Sequence, residues 1–141
     1  MLLVLAVSSL LNLVLNGADA MPDGGTIFLD AWLDSGSVCI RVRDTGAGVP
    51  KQHQSRIFDP FFTTKAPGSG TGLGLAVSAL IVQQHGGTLQ LECGARMDAV
   101  GETGGRHRHD RQQNVRAEGS SEKEPRGAAF VIRLSAPKGA Q

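Results

Sequence analysis

An α/β fold with helices packed on one face of a sheet is what this 141-residue sequence predicts, and three observations carry that expectation. Residues 3–20 form an apolar run in which polar side chains return at helical spacing. Four stretches read as strands: TIFLDAWL (26–33), SVCIRVR (37–43), TLQLEC (88–93) and GAAFVIRL (127–134). Between the second and third of these, glycines at 68, 70, 72 and 74 open directly into a second apolar-periodic run through Leu73, Leu75, Val77, Leu80 and Ile81.

Taken in order, the first helix carries Asn12, Asn16 and Asp19 at i, i+4 and i+7, one polar stripe on an otherwise buried cylinder. Such a stripe reads either as capping and network amides or as a line of oxygen ligands facing a metal–phosphate group. Pro22, Gly24 and Gly25 end the helix. Asp34-Ser35-Gly36 is a short hairpin turn, and the strand after it alternates Val38, Ile40 and Val42 against Cys39, Arg41 and Arg43. The chain then leaves the sheet through Asp44-Thr45-Gly46-Ala47-Gly48, with a short helix expected over 51–57 and an irregular lid over 58–70.

Composition places all of 1–141 in one domain. The net charge of +1 gives no overall basic field for nucleic acid. Cys39 and Cys93 match no zinc spacing and read as buried, reduced strand thiols, which fits a cytoplasmic protein. The apolar start ends in Ala18-Asp19-Ala20, an export-signal pattern, yet no Lys or Arg precedes the run and asparagines interrupt it. The same run is too short and too polar at its end to span a bilayer. Residues 94–126 are nearly devoid of large apolar side chains and mix both charge signs, the composition of a disordered polar insertion. Within it, Arg106-His107-Arg108-His109-Asp110 reads as a solvated loop rather than a metal site. Residues 135–141 read as a tail.

Two stretches carry chemistry. The glycine loop leaves main-chain N–H groups bare at a helix start, which suits phosphate. It has neither the lysine of the P-loop nor the dinucleotide spacing, so charge neutralisation would fall to a magnesium ion held elsewhere. Asp44-Thr45-Gly46 has three readings. One is a turn aspartate. Another is an aspartic-protease half-site, for which no second copy exists in the chain. The last is purine recognition, where a buried carboxylate accepts a hydrogen bond from an exocyclic amine.

In order and spacing, Asn16, Asp44 with Gly46 and Gly48, the run Arg56-Ile57-Phe58-Asp59-Pro60-Phe61-Phe62, and Gly68 to Gly74 resemble the N, G1, F and G2 boxes of the ATP-binding domain of sensor histidine kinases. That family shares its fold with gyrase, the heat-shock chaperone and the mismatch-repair MutL protein. The run Phe61-Phe62-Thr63-Thr64-Lys65 looks most like the nitrogen-regulation branch. The resemblance covers residues 10–93 and the last strand, and implies a two-layer α/β sandwich with a mixed, largely antiparallel sheet and helices on one face.

It also implies Mg-ATP as ligand and transfer of the γ-phosphoryl group to a histidine, with a response regulator downstream. Asn16 would coordinate the magnesium, with Asp19 beside it on the same stripe. Asn12 stands where hydrolytic relatives place a catalytic glutamate, and an amide takes no proton from water, so little hydrolysis is expected. Asp44 would bind the adenine amine, with Gly46 and Gly48 beside the ring. Phe61 and Phe62 would anchor the lid, Lys65 would approach the terminal phosphates, and Gly70, Thr71, Gly72, Leu73 and Gly74 would wrap them. None of His53, His85, His107 and His109 lies in anything resembling a phosphoacceptor box, and the lead-in before the N box is replaced by MLLVLAVSS. The expectation is therefore a kinase's catalytic part, shortened at its N-terminus, acting on a histidine in another segment or chain. The rival expectation is a nucleotide-binding regulator, or an inactive kinase fragment, without phosphoryl transfer.

Overall fold

The computed structural model describes residues 2–92 and 127–135, with side chains from Val7 onward. The long helix α1 spans Leu2–Asp19, and strands β1 (Ile27–Asp34) and β2 (Ser37–Asp44) follow as a hairpin. A four-residue helix α2 (Lys51–Gln54), the lid, helix α3 (Gly74–Gln84), strand β3 (Thr88–Leu91) and strand β4 (Ala129–Ser135) complete the described chain. The sheet order is β1-β2-β4-β3, and all three pairings are antiparallel. The fold is the expected α/β sandwich. Ser135 belongs to β4 rather than to a tail, bonded across the sheet to Ser37. The expected insertion at 94–126, Cys93 and the remaining tail lie outside the described residues.

Sequence chemistry accounts for each boundary. After α1, the turn closes with Met21 N–H donating to the Ala18 carbonyl and Gly24 at φ +93°, and Pro22 lies between them. The hairpin turn is two residues, Ser35 (φ +50°) and Gly36 (φ +76°), the left-handed pair that matches strand twist. The pleat sends alternate residues of each strand to opposite faces. Val42, Phe130, Ile132 and Leu89 therefore share the face that meets Leu13 of α1, Val82 of α3 and Ile57, and together these form the core.

The opposite face is a charged lattice. Arg41 pairs with Asp30 at 3.0 Å and Glu92 at 3.4 Å, Arg133 pairs with Asp34, and Arg41 lies 5.5 Å over the Trp32 ring. Cys39 is fully buried on that face as a free thiol.

Helix α1 is not the buried cylinder that its composition suggests. Ser9, Leu13 and Gly17 are buried, but Val7, Leu11 and Leu15 are each more than half exposed. One helix resting on one sheet can bury only one flank, and among the described residues nothing covers the other.

Candidate functional site

Helix α1 is the spine against which the candidate residues gather. Near its C-terminal end, a Cβ on Gly17 would lie 3.2 Å from the Asp44 Cβ, so the absence of a side chain lets the end of β2 seat directly on the helix. Asp44 is 5% exposed. Its Oδ1 accepts from the Gly46 amide at 2.8 Å and the Ala128 amide at 3.2 Å, while its own N–H donates to the Ala128 carbonyl at 2.9 Å. Among the described residues no donor reaches Oδ2. One oxygen is therefore fixed by the fold and the other is available to a ligand donor. Gly46 is pressed against Ala20, whose carbonyl oxygen would stand 2.7 Å from an added Cβ. Gly48 holds φ +77° with the Gly127 carbonyl equally close. The carboxylate is thus walled by α1 on one side and by the start of β4 on the other.

Five residues earlier on α1, about 7.5 Å along its axis by the standard rise, Asn12 faces the other part of the site. Its Nδ2 donates to the buried Ser78 hydroxyl at 3.0 Å, and its Oδ1 would lie 2.5 Å from a Cβ on Gly74. The first turn of α3 therefore rests on the Asn12 carboxamide. Leu73, the residue before α3, provides no side-chain cap, so no side chain occupies the helix's leading amides. A cleft of about 290 Å³ opens here, lined by Ser8, Asn12, Thr71, Leu73, Gly74, Val77, Ser78 and Ile81.

The lid runs between these two regions. Lys65 forms an ion pair with Asp19 at the end of α1. An added Cβ on Gly70 would meet the Lys65 side chain at 2.9 Å. The two arms of the lid are clasped where the Phe61 amide donates to the Gly72 carbonyl at 2.9 Å. Both residues are left-handed there, Phe61 at φ +68° and Gly72 at φ +67°, and a Cβ on Gly72 would fall 2.4 Å from the Phe61 carbonyl carbon. Only glycine fits at 72. Phe62 is the lid's apolar anchor, packed against the core, beneath the Arg56 guanidinium at 4.8 Å and beside the His53 ring at 5.4 Å. The Phe61 side chain is 75% exposed and anchors nothing; only its backbone does.

The predicted residues thus gather on α1 in two groups. Asp44, Gly46 and Gly48 meet its C-terminal end, where Asp19 pairs with Lys65, Asn12 and Gly74 meet its middle, and Asn16 stands between. Neither Asp44 nor Asn16 lines the open cleft, and Lys65 meets Asp19 rather than open space. Sequence reasoning missed Ser78, which fixes Asn12, and Gly17, which seats Asp44. The signals were present: a serine one helical turn after Gly74, and a glycine directly after Asn16 inside a helix.

For magnesium, the donor chemistry is the test. Among the described residues there is no cluster of three or more acidic, histidine or cysteine side chains. Magnesium bound together with a triphosphate needs only one or two protein oxygens, the phosphates supplying others. Asn16, half-buried with no hydrogen bond to its carboxamide among the described residues, fits that requirement.

The fold and the site define a two-layer sandwich in which a buried carboxylate and an uncapped helix start are held against one helix. The sequence pattern of the family described as histidine kinase-, DNA gyrase B-, and HSP90-like ATPases matches residues 5–138, and the chain belongs to that family. It is 49% identical over 82 residues to the sensor histidine kinase ZraS of Escherichia coli K12, covering 58% of this chain and 17% of that one. Sporulation kinase A of Bacillus subtilis is 42% identical over 82 residues, covering 58% of this chain and 13% of the kinase. Among solved structures, the mycobacterial sensor histidine kinase MprB superposes with a TM-score of 0.63 at 26% identity, covering 90% of this chain and 67% of the other. The catalytic domain of the histidine kinase ThkA gives 0.60 at 26% identity, covering 90% and 63%. The chain spans less than a fifth of the length of the two curated kinases named.

Proposed function

We propose that this chain is the ATP-binding catalytic part of a two-component sensor histidine kinase, passing the γ-phosphoryl group of Mg-ATP to a histidine in a separate domain or chain and, through it, to a response regulator. The observation that carries the reading is the divided use of Asp44: Oδ1 is bound by two backbone amides and Oδ2 is uncommitted, the arrangement that receives an exocyclic amine. Gly46 and Gly48 let the backbone beside it close against Ala20 and Gly127.

From the Asp44 end to the Gly74 end is about 7.5 Å along α1, so a nucleotide laid beside the helix brings its phosphates to the first turn of α3. The leading amides there, with Gly70, Thr71, Gly72 and Leu73, receive phosphate oxygens. Asn16 would be the residue to hold a magnesium ion, which would supply charge neutralisation there. Lys65 leaves Asp19 and turns to the terminal phosphate, because an anion of higher charge competes for the same ammonium.

Asn12 holds no proton-accepting group, and its amide is bound to Ser78, so water is not activated there and the γ-phosphoryl group is kept for transfer. Phosphoryl transfer depends on positioning and charge neutralisation, which this chain's backbone amides, Asn16 and Lys65 supply. The run Phe61 to Lys65 supports placing the chain in the nitrogen-regulation branch. Among the described residues no helix is long and apolar enough to cross a membrane, and a cytoplasmic location fits an ATP-consuming part.

The test is transfer in trans. The chain, incubated with labelled Mg-ATP and a separate two-helix dimerisation domain of a related kinase, should produce acid-labile, alkali-stable phosphohistidine, abolished by EDTA and by Asn16→Ala. Saturable Mg-dependent nucleotide binding without any phosphohistidine would instead make the chain a nucleotide-binding regulator. Absence of binding would remove the reading altogether.

A further inference from the structure

Ser78 lies one turn into α3, four residues after Gly74 and therefore on the same face of the helix. It is 2% exposed, and its hydrogen-bond partner among the described residues is the Asn12 carboxamide of α1, whose Nδ2 donates to Oγ at 3.0 Å. Both residues line the cleft of about 290 Å³ that opens at the start of α3.

A carboxamide has two chemically opposite ends of nearly the same outline, an NH₂ that donates and an oxygen that accepts. Rotation about its last side-chain bond exchanges them at little steric cost. Here that rotation is opposed from both sides. Nδ2 is spent on Ser78, and Oδ1 faces the Cα–H of Gly74, where an added Cβ would lie 2.5 Å from Oδ1 and 3.0 Å from Nδ2. A C–H group beside an oxygen is weakly attractive, whereas the same group beside an NH₂ is not. Among the described residues no donor reaches Oδ1, so Asn12 turns an uncommitted acceptor toward the first turn of α3.

The consequence is electrostatic. The leading amides of α3 attract phosphate oxygens, but an amide oxygen beside them repels those same atoms. An amide oxygen next to a polyphosphate is favourable only where a cation is shared between the two, because hard divalent cations take oxygen ligands from both sides. With the carboxamide reversed, its NH₂ would donate to a phosphate oxygen and favour the metal-free anion.

We propose that Ser78 is a positioning residue for nucleotide selection: by holding Nδ2 it keeps the Asn12 oxygen toward the triphosphate, and so makes the chain prefer the magnesium complex of ATP over free ATP. The inference rests on the ATP-binding reading above and adds the residue that sets which form of the nucleotide is accepted. Ser78 acts through Asn12 and touches no phosphate itself.

The test is paired titration of the full chain with a fluorescent ATP analogue, in magnesium and in EDTA, with thermal melting of the same samples. The parent should bind the magnesium complex at least about tenfold more tightly than the free nucleotide. Ser78→Ala releases the carboxamide, so metal-free binding should tighten about tenfold while binding of the magnesium complex changes less than about threefold. Ser78→Thr, which keeps the hydroxyl, should keep the preference. In an Asn12→Ala background, Ser78→Ala should not change the ratio further, because the group it acts through is gone.

A Ser78→Ala protein that loses both forms of the nucleotide in equal proportion would mark a purely structural residue and overturn the proposal. So would an unchanged ratio, or a collapse of the preference that persists in the Asn12→Ala background. A parent chain that binds both forms equally would overturn it and leave the ATP reading standing, whereas a parent that binds neither would remove that reading and this inference together.

Discussion

Replacing Asp44 by asparagine separates binding from folding. In the native site Oδ1 accepts from the Gly46 and Ala128 amides, and Oδ2 has no partner among the described residues. Asparagine keeps a carbonyl oxygen where Oδ1 stands, so both backbone bonds survive and the fold should change by no more than about 1 kcal/mol. At the other position an NH₂ replaces an acceptor, and an incoming amine then meets a donor. A hydrogen bond to a charged group contributes about 1.5–3 kcal/mol, which at about 1.4 kcal/mol per decade is a loss of about 10- to 150-fold in affinity.

The assay is titration of a fluorescent ATP analogue in magnesium, paired with thermal melting of the same samples. Asp44→Ala serves as the contrast. It strips the acceptor from both amides, each costing about 1–3 kcal/mol if left unsatisfied, so it should lower the melting temperature as well as the affinity. An Asp44→Asn protein that binds within threefold of the parent, or that loses nucleotide only because it has lost its fold, would refute the role assigned to this carboxylate.

Three other perturbations test neighbouring features. Gly72→Ala puts a Cβ 2.4 Å from the Phe61 carbonyl carbon at φ +67°, so the clasp should open, with about 1–2 kcal/mol of backbone strain and faster amide exchange at Phe61. Core melting should change little, and nucleotide affinity should fall. Asp19→Asn removes the lid's ion pair with Lys65; because both groups are partly exposed, stability should change by less than about 1 kcal/mol, while exchange across residues 62–72 quickens.

Asp34 titrates below its usual value of 3.8, first because the Arg133 side chain hydrogen-bonds it and then because Ser35 does. A carboxyl with a depressed folded-state value stabilises the fold above its unfolded value and loses that contribution as pH falls through the folded one, so the effect is confined to strongly acid solution. Arg133→Gln should move the Asp34 titration, followed by carboxyl NMR, back up toward the ordinary range.

The parts of the fold that local chemistry controls were legible in the sequence. The hairpin turn within Asp34-Ser35-Gly36, which narrows to Ser35-Gly36 in the structure, the alternation in β2, and the junction at Gly74 between loop and helix all follow from turn chemistry and period. What escaped were relations set by packing. Composition could not show that α1 buries only the flank bearing Ser9, Leu13 and Gly17, because Leu11, Leu15 and Leu13 are chemically alike.

The same division holds at the site. Asp44 and the glycines stand out as residue types, but Ser78 and Gly17 matter only through what they touch. Lys65 and Asp19 are 46 positions apart, and a pairing at that range leaves no periodic trace. The exposed Phe61 side chain illustrates the reverse error, since an aromatic residue suggests burial while its left-handed backbone does the work.

The sheet order places β4, the last strand of the described chain, between β2 and β3 rather than at an edge. Phe130 and Ile132 thus supply the keystone of a core whose other stones are laid many residues earlier. During synthesis, Val42 and Leu89 have no neighbour to bridge them until residue 135 has emerged, so this sandwich closes only after translation of the stretch between β3 and β4. Trimming a few residues from β4 would therefore leave both halves of the molecule without a seam.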